Sequence, residues 1–333
     1  MSPNGRVTSN RVPPHRGEPT EREEARASSL TLSWRLFLAY TLFVVVFGAV
    51  VRITGSGAGC GQHWPTCHGE IVHLPRSLET AIELTHRVTS GLTLVAIAWL
   101  GFSTRKHTER GHPARRWALW SFAFLIVESL VGAVLVLFAL VGQNSSWMRA
   151  VVMAVHLVNT SLLLGAIHGT ALALSEPGTS SMRERPTLNR LAFRVLLGAM
   201  LLLVVSAAGA VTALGDTLYP VAASAGHGDV LLESASEGAH FLERLRGFHP
   251  LLAILAASYL LYVAVDGAQG RLRFLLLALL GFQLSLGVAN IALGAPGWMQ
   301  VAHLSVGTLL WLSWVHLSLL VVYPKACLQN VGE

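Results

Sequence analysis

Glu83, His86 and Arg87 stand together as ELTHR, and His156, His249 and His303 each fall inside a long apolar run. Neutral imidazole is a good donor to iron, and two imidazoles meeting from opposite sides give six-coordinate haem iron. Glu83 precedes His86 by three residues, so a helix would put both on one face. A carboxylate in apolar surroundings is costly unless it is paired or functional. Glu83 is therefore a candidate for reactive chemistry, and Arg87 for pairing with it or for holding a haem propionate. Three residues before His249 the chain has Arg246, a base where the first constellation has an acid. Reactive chemistry suits the acid; a permanently held cofactor suits a cationic propionate clamp.

A second constellation is GSGAGCGQHWPTCHGEIVH, residues 55–73. Its glycines and Pro65 are flexible enough to bring Cys60 and Cys67 within the ~6 Å between α-carbons that a bridge requires. Three readings are open: a disulfide, a metal site using Cys60, His63, Cys67 and His68, or two free thiols. The ligand types suit a metal, but the spacing matches no standard zinc pattern. The glycines lack the Lys-Ser/Thr of a phosphate cradle. Cys327 stands apart and is expected to be inert.

The elements that must position these residues are membrane helices. Of 333 residues 53% are hydrophobic and only 13% charged, against about a quarter charged in soluble domains. Eight apolar runs, at 36–53, 82–102, 117–141, 147–174, 191–214, 248–265, 274–293 and 298–322, each approach the ~20 residues that span a bilayer. Eighteen of the 24 Lys and Arg fall on the side of the N-terminus, leaving only Arg52, Arg76, Arg87, Arg149, Arg244 and Arg246 opposite. By the positive-inside rule both termini are cytoplasmic and the cysteine loop is outside, where disulfides persist. The +6 net charge then reflects topology and inner-leaflet lipid and gives no support to nucleic-acid binding. Residues 1–33 read as a disordered cytoplasmic tail of a bacterial protein, because Glu18, Glu21, Glu23 and Glu24 do not suit a transit peptide. No signal peptide is apparent, so the first helix is expected to be retained.

The runs repeat. His156 and Ser161 recur as His303 and Thr308 at an offset of 147, Glu128 and Gly132 as Gln283 and Gly287 at 155, Gly48 as Gly209 at 161, and His86 as His249 at 163. Each half holds four helices, so the halves should be related by an axis along the membrane normal. The expected fold is all-α and integral to the membrane: eight transmembrane helices as two tandem four-helix bundles related by a pseudo-two-fold axis. Residues 34–175 form the first half, 176–190 a cytoplasmic linker and 191–325 the second half. The four histidines lie roughly 8 to 14 Å down their helices at 1.5 Å per residue, one pair per half. His168 and His316 point elsewhere around their helices and read as polar contacts or interface residues. Glu128, without an obvious partner in the sequence, reads as a protonated or hydrogen-bonded interhelical group rather than a proton relay.

Taken together, GAVVRITGSGAGCGQHWPTCHGE, ELTHR and the duplicated histidines resemble the haem A synthase family over about residues 35–325. The resemblance implies oxidation of the C8 methyl of haem O to the formyl of haem A, for cytochrome c oxidase assembly. It implies substrate haem O near His86 and His156, haem b (protohaem IX) on His249 and His303, Glu83 as the essential acid, and Cys60 with Cys67 as the loop pair. Haem O synthase would supply the substrate, and oxidase assembly factors and a membrane electron acceptor would be partners; a homo-oligomer is open. Family members with a second cysteine pair differ from this chain, whose loop GDTLYPVAASAGHGDVLLESASEGAH has none. His227 and His240 in that loop read as solvated or lid residues. The main rival is a non-catalytic di-haem b-type cytochrome; a transporter, the third class, would bind no haem.

Overall fold

A computed structural model describes residues 21–175, 186, 188–220 and 238–323, and among the described residues there are helices and no strands. The helices are α1 (Glu21–Ile53), α2 (Leu78–His107), α3 (Pro113–Leu137), α4 (Trp147–Ser175), α5 (Arg190–Leu218), α6 (Phe248–Gly267), α7 (Gly270–Ala292) and α8 (Gly297–Val322). Short turns at Ser56–Ala58, Phe241–Arg244 and Leu245–Gly247 complete the set. Local chemistry marks the ends. The Ser77 side chain accepts from Thr80 N ahead of α2, Asn189 does the same for Ala192 N ahead of α5, and Pro113 opens α3, where its missing N–H costs nothing.

Seven of these segments are long and apolar enough to cross a membrane, the fifth of them running Phe241–Gly267. The exception is α2. It has 30 residues, but its first half carries Thr80, Glu83, Thr85, His86, Arg87, Thr89, Ser90 and Thr93, which lowers its hydropathy. Its other side exposes Val88, Leu92, Val95, Trp99 and Phe102.

The start of α1 departs from the sequence expectation. The expected tail reached residue 33, whereas the helix begins at Glu21; residues 1–20 lie outside the described residues. Leu30 and Trp34 are buried beside Ile97 and Leu100, and Trp34 Nε1 donates to Thr104 Oγ1 at 2.9 Å. That anchor extends the helix past the point where the sequence turns polar. Most of the expected linker, 176–185 and 187, also lies outside the described residues.

In the N-terminal half α1 packs on α2 and α4, and α3 packs on the same two. In the C-terminal half α6 packs on α5 and α7, and α8 on the same two. The halves meet where α4 lies against α5 and α8 and where α1 touches α8. Trp311 fastens this seam, its Nε1 donating to Ser161 O at 2.7 Å. Within the C-terminal half Trp314, 1% exposed, ties α8 to α5 by donating to Val195 O at 2.9 Å. Trp314 fits because residue 198 is glycine: a Cβ there would lie 2.3 Å from its Cζ2. His168 Nε2 and His316 Nδ1 meet across the seam at 3.1 Å. They are a polar contact between halves.

Candidate functional site: a cavity between two histidine pairs

A cavity of about 1180 Å³ runs between the two halves and is lined by His86, His156, His249 and His303. A drug-sized ligand occupies some 300–1,000 Å³, so this volume suits something large, or two such groups. Its wall is mostly apolar. The Nδ1 atoms of all four histidines are buried without a hydrogen bond among the described residues, and buried polar atoms left so are rare unless a ligand completes them.

Two glycines cradle two of these rings. A Cβ on Gly48 of α1 would lie 3.1 Å from His86 Cε1, and one on Gly209 of α5 would lie 3.0 Å from His249 Cε1. The repeat had paired these glycines and histidines by offset; the fold sets each glycine against its histidine. In the second half the rings of His249 and His303 are 6.3 Å apart between centroids. Two axial bonds of about 2 Å plus the ring radii require roughly that separation. Gln283 Nε2 lies 3.0 Å from His303 Nε2, so ligation through that nitrogen needs the amide to give way. The residues present fit a haem.

The neighbours of the two α4 and α8 histidines differ in charge. Glu128 Oε1 lies 3.2 Å from His156 Nδ1, while Asn159 Nδ2 donates to Glu128 Oε2 at 2.6 Å and Thr160 Oγ1 donates to Oε1. Glu128 is thus a hydrogen-bonded interhelical group, with Asn159 and Thr160 of α4 as its donors. Its repeat counterpart, Gln283, gives His303 a neutral amide instead.

Glu83 is 4% exposed. Its Oε2 accepts from Cys60 N at 2.7 Å, and its Oε1 accepts from Arg87 Nε at 3.1 Å and from Arg87 Nη2. Arg87 Nη1 also donates to the carbonyls of His63 and Thr66. Of the two roles open to Arg87, the structure brings together the pair with Glu83, and the guanidinium is spent on that pair and the loop. Cys60 and Cys67 are joined in a disulfide, with their α-carbons 4.5 Å apart, which of the three readings is the one this structure holds. The loop is thus tied to the site through the amide of a bridged cysteine.

Arg246 is likewise engaged. Its Nε lies 2.9 Å from Asp216 Oδ1, and its Nη2 donates to the carbonyls of Gly215 and Tyr219. Sequence reasoning missed Asp216, Arg52 and Arg149. Arg52 donates to Ala213 O at 2.8 Å and to Gln300 Oε1 at 2.9 Å, crossing from the first half into the second. Arg149 donates to Gly142 O and Asn144 O, both at 2.7 Å. The signal was present: Arg52 and Arg149 are two of the six cations that the charge distribution sets apart from the other eighteen. His240 is corrected from lid or solvated residue to cap, since its Nδ1 accepts from Leu242 N at 3.3 Å and its ring stacks on Tyr219. His227 lies outside the described residues.

A family model described as Cytochrome oxidase assembly protein matches residues 33–315. The chain is 43% identical over 276 residues to a protoheme IX farnesyltransferase of Thermus thermophilus, covering 81% of this chain and 44% of that protein. A heme A synthase of Staphylococcus haemolyticus is 37% identical over 132 residues, 39% of this chain and 42% of the relative. One of Bacillus cereus is 42% identical over 92 residues, 28% and 30%. The matched stretches span less than half the length of each of these relatives. With most of its length matched by one family model, the chain belongs to the cytochrome oxidase assembly protein family.

Proposed function

We propose that this protein is a haem A synthase that oxidises the C8 methyl of haem O to the formyl of haem A. The observation that carries the reading is a single cavity with a histidine pair from each half and one buried carboxylate, Glu83, beside the first pair. The names of the Staphylococcus and Bacillus relatives agree with it. So does that of the Thermus relative, which acts on protohaem IX by name.

In this reading all eight helices cross the bacterial cell membrane, as two four-helix bundles about a pseudo-two-fold axis. Both termini are cytoplasmic and the bridged loop is outside. His86 and His156 hold substrate haem O, and His249 and His303 hold haem b. When bound, haem b supplies a one-electron redox centre within the membrane. The protein's own groups do the rest. Apolar walls exclude water and raise the value of every charge inside. The Cys60 N–H and the Arg87 guanidinium fix the Glu83 carboxylate as an acceptor. That carboxylate stabilises positive charge developing at the substrate methyl or takes its proton as water adds. Glu128 sets a carboxylate oxygen 3.2 Å from His156 Nδ1, an outer charge beside the imidazole of the kind that orients a ligating histidine and strengthens it as a donor. Haem O synthase, an electron acceptor in the membrane and oxidase assembly factors are the partners this role needs.

One observation favours the rival, a di-haem b-type electron carrier: both oxygens of Glu83 are already engaged. Expression alongside a source of haem O, followed by pigment extraction and chromatography with mass detection, separates the two. Haem A in the extract supports the synthase. Protohaem and unchanged haem O alone would make the protein a carrier.

A further inference from the structure

Outside the cavity, the loop closed by Cys60 and Cys67 gathers a second set of donors. One ligand atom each of Cys67, His68 and His73, the sulfur and one nitrogen per ring, lie within 4.8 Å of one another, and the two histidine rings are 4.9 Å apart between centroids. Backbone bonds hold them there: Cys67 N donates to Glu70 O at 3.2 Å, Glu70 N to Cys67 O at 2.9 Å, and His68 N to Cys60 O at 3.0 Å.

Each ring has one nitrogen occupied by an acceptor. His68 Nε2 lies 3.0 Å from Gly59 O, which also accepts from Thr80 Oγ1 at 2.7 Å. Only an N–H can bond a carbonyl, so Nε2 carries the proton and Nδ1 keeps its lone pair. His73 Nδ1 lies 2.7 Å from Glu70 Oε2, and this contact holds the exposed Glu70 carboxyl below its ordinary range. With Nδ1 donating, Nε2 of His73 keeps its lone pair. A carbonyl or carboxylate on the far nitrogen is how proteins orient metal-bound histidines and fix their tautomer. Two adjacent rings prepared this way, beside a sulfur, form a donor set.

The sulfur decides whether the set works. A thiolate is the metal-binding form of cysteine, and in the bridged state Cys67 has none to offer. We infer that this loop is a redox-gated metal site, taking a borderline divalent cation such as Zn²⁺ on the Cys67 thiolate, His68 and His73, with Glu70 orienting His73. A dithiol reductant gives two electrons and two protons to the Cys60–Cys67 bond and becomes a disulfide itself. The metal then displaces the proton of the Cys67 thiol. Solvent fills the fourth position from the side of His68, which is exposed. Because Cys60 N is bonded to Glu83, the same loop would report its redox and metal state toward the cavity.

Zn²⁺ is the probe because it has no redox chemistry of its own. The full chain is purified in detergent, and Zn²⁺ affinity is measured by competition with a chromophoric chelator. Cys60→Ser leaves Cys67 permanently reduced. It should bind one Zn²⁺ at least about tenfold more tightly than the Cys60→Ser variant that also carries His68→Ala and His73→Ala. Oxidised wild type should bind weakly until a phosphine reduces it. Should Cys60→Ser misfold, phosphine-reduced wild type against phosphine-reduced His68→Ala/His73→Ala makes the same comparison. Equal affinity with and without the two histidines, or equal affinity before and after reduction, overturns the site.

Discussion

Replacing Gly209 by alanine probes how closely the fold confines its histidines. The new Cβ would sit 3.0 Å from His249 Cε1, 3.4 Å from Nδ1 and 3.6 Å from Nε2, whereas carbon atoms at rest stay about 3.5–4.0 Å apart. The ring must retreat by about half an ångström, comparable to the tolerance within which a ligand site has to be held. Overpacking of this kind costs about 1–3 kcal/mol, which converts to roughly a 5- to 140-fold loss of affinity at 1.4 kcal/mol per decade. Gly48→Ala, at 3.1 Å from His86 Cε1, should act alike on the first half. Gly287→Ala, at 3.4 Å from His303 Cε1, should act more weakly, and Gly132→Ala, with nothing within 4 Å, should be silent. The assay is haem retained per protein through purification, by pyridine haemochrome, with low-spin electron paramagnetic resonance of the ferric state. Wild-type retention in Gly209→Ala, or an equal loss in Gly132→Ala, would refute the reasoning.

Three further outcomes follow from the same geometry. Glu83→Gln should abolish haem A formation while haem content stays normal, because the amide keeps an acceptor oxygen for Cys60 N but loses the charge; undiminished product would remove Glu83 from the chemistry. Glu128→Gln should raise the midpoint potential of the first-half haem, since a carboxylate beside the outer nitrogen enriches the ligand; redox titration with that site loaded reads the sign, and an unchanged potential would contradict the assigned contact. Gly198→Ala places a Cβ 2.3 Å from Trp314 and should destabilise the packing of α5 on α8 by at least about 1–3 kcal/mol, visible as a lower thermal midpoint in detergent, whereas a wild-type midpoint would mean that this contact can open.

What the sequence made legible was whatever periodicity and duplication record. Eight apolar runs became eight long helices, seven of them long and apolar enough to cross a membrane, and four histidines reached one cavity because the offsets pairing Gly48 with Gly209 and His86 with His249 reflect real neighbours. Less legible was anything decided by a partner distant in sequence. Trp34 anchors to Thr104 seventy residues away, and no local pattern marks that this extends α1 back to Glu21. Glu128 could be read as an interhelical hydrogen-bonding group, but its partners, Asn159 and Thr160, could not be named because they are polar residues scattered in an apolar helix. Arg52 forms its bonds in the other half, so only its place among the six cations set apart by the charge distribution could have drawn notice. Two alternatives left open for Arg87, and three for Cys60 and Cys67, were separated by side-chain positions that spacing does not encode.

The central claim is that each half grips one haem between its own pair of imidazoles. Purified protein supplied with haem O and protohaem, examined by haem stoichiometry and low-spin electron paramagnetic resonance beside a His303→Ala variant, tests it most directly. Two bis-imidazole signals in the wild type, with one lost and the other intact in the variant, are predicted. A colourless wild type, or a variant that keeps both signals unchanged, would contradict it.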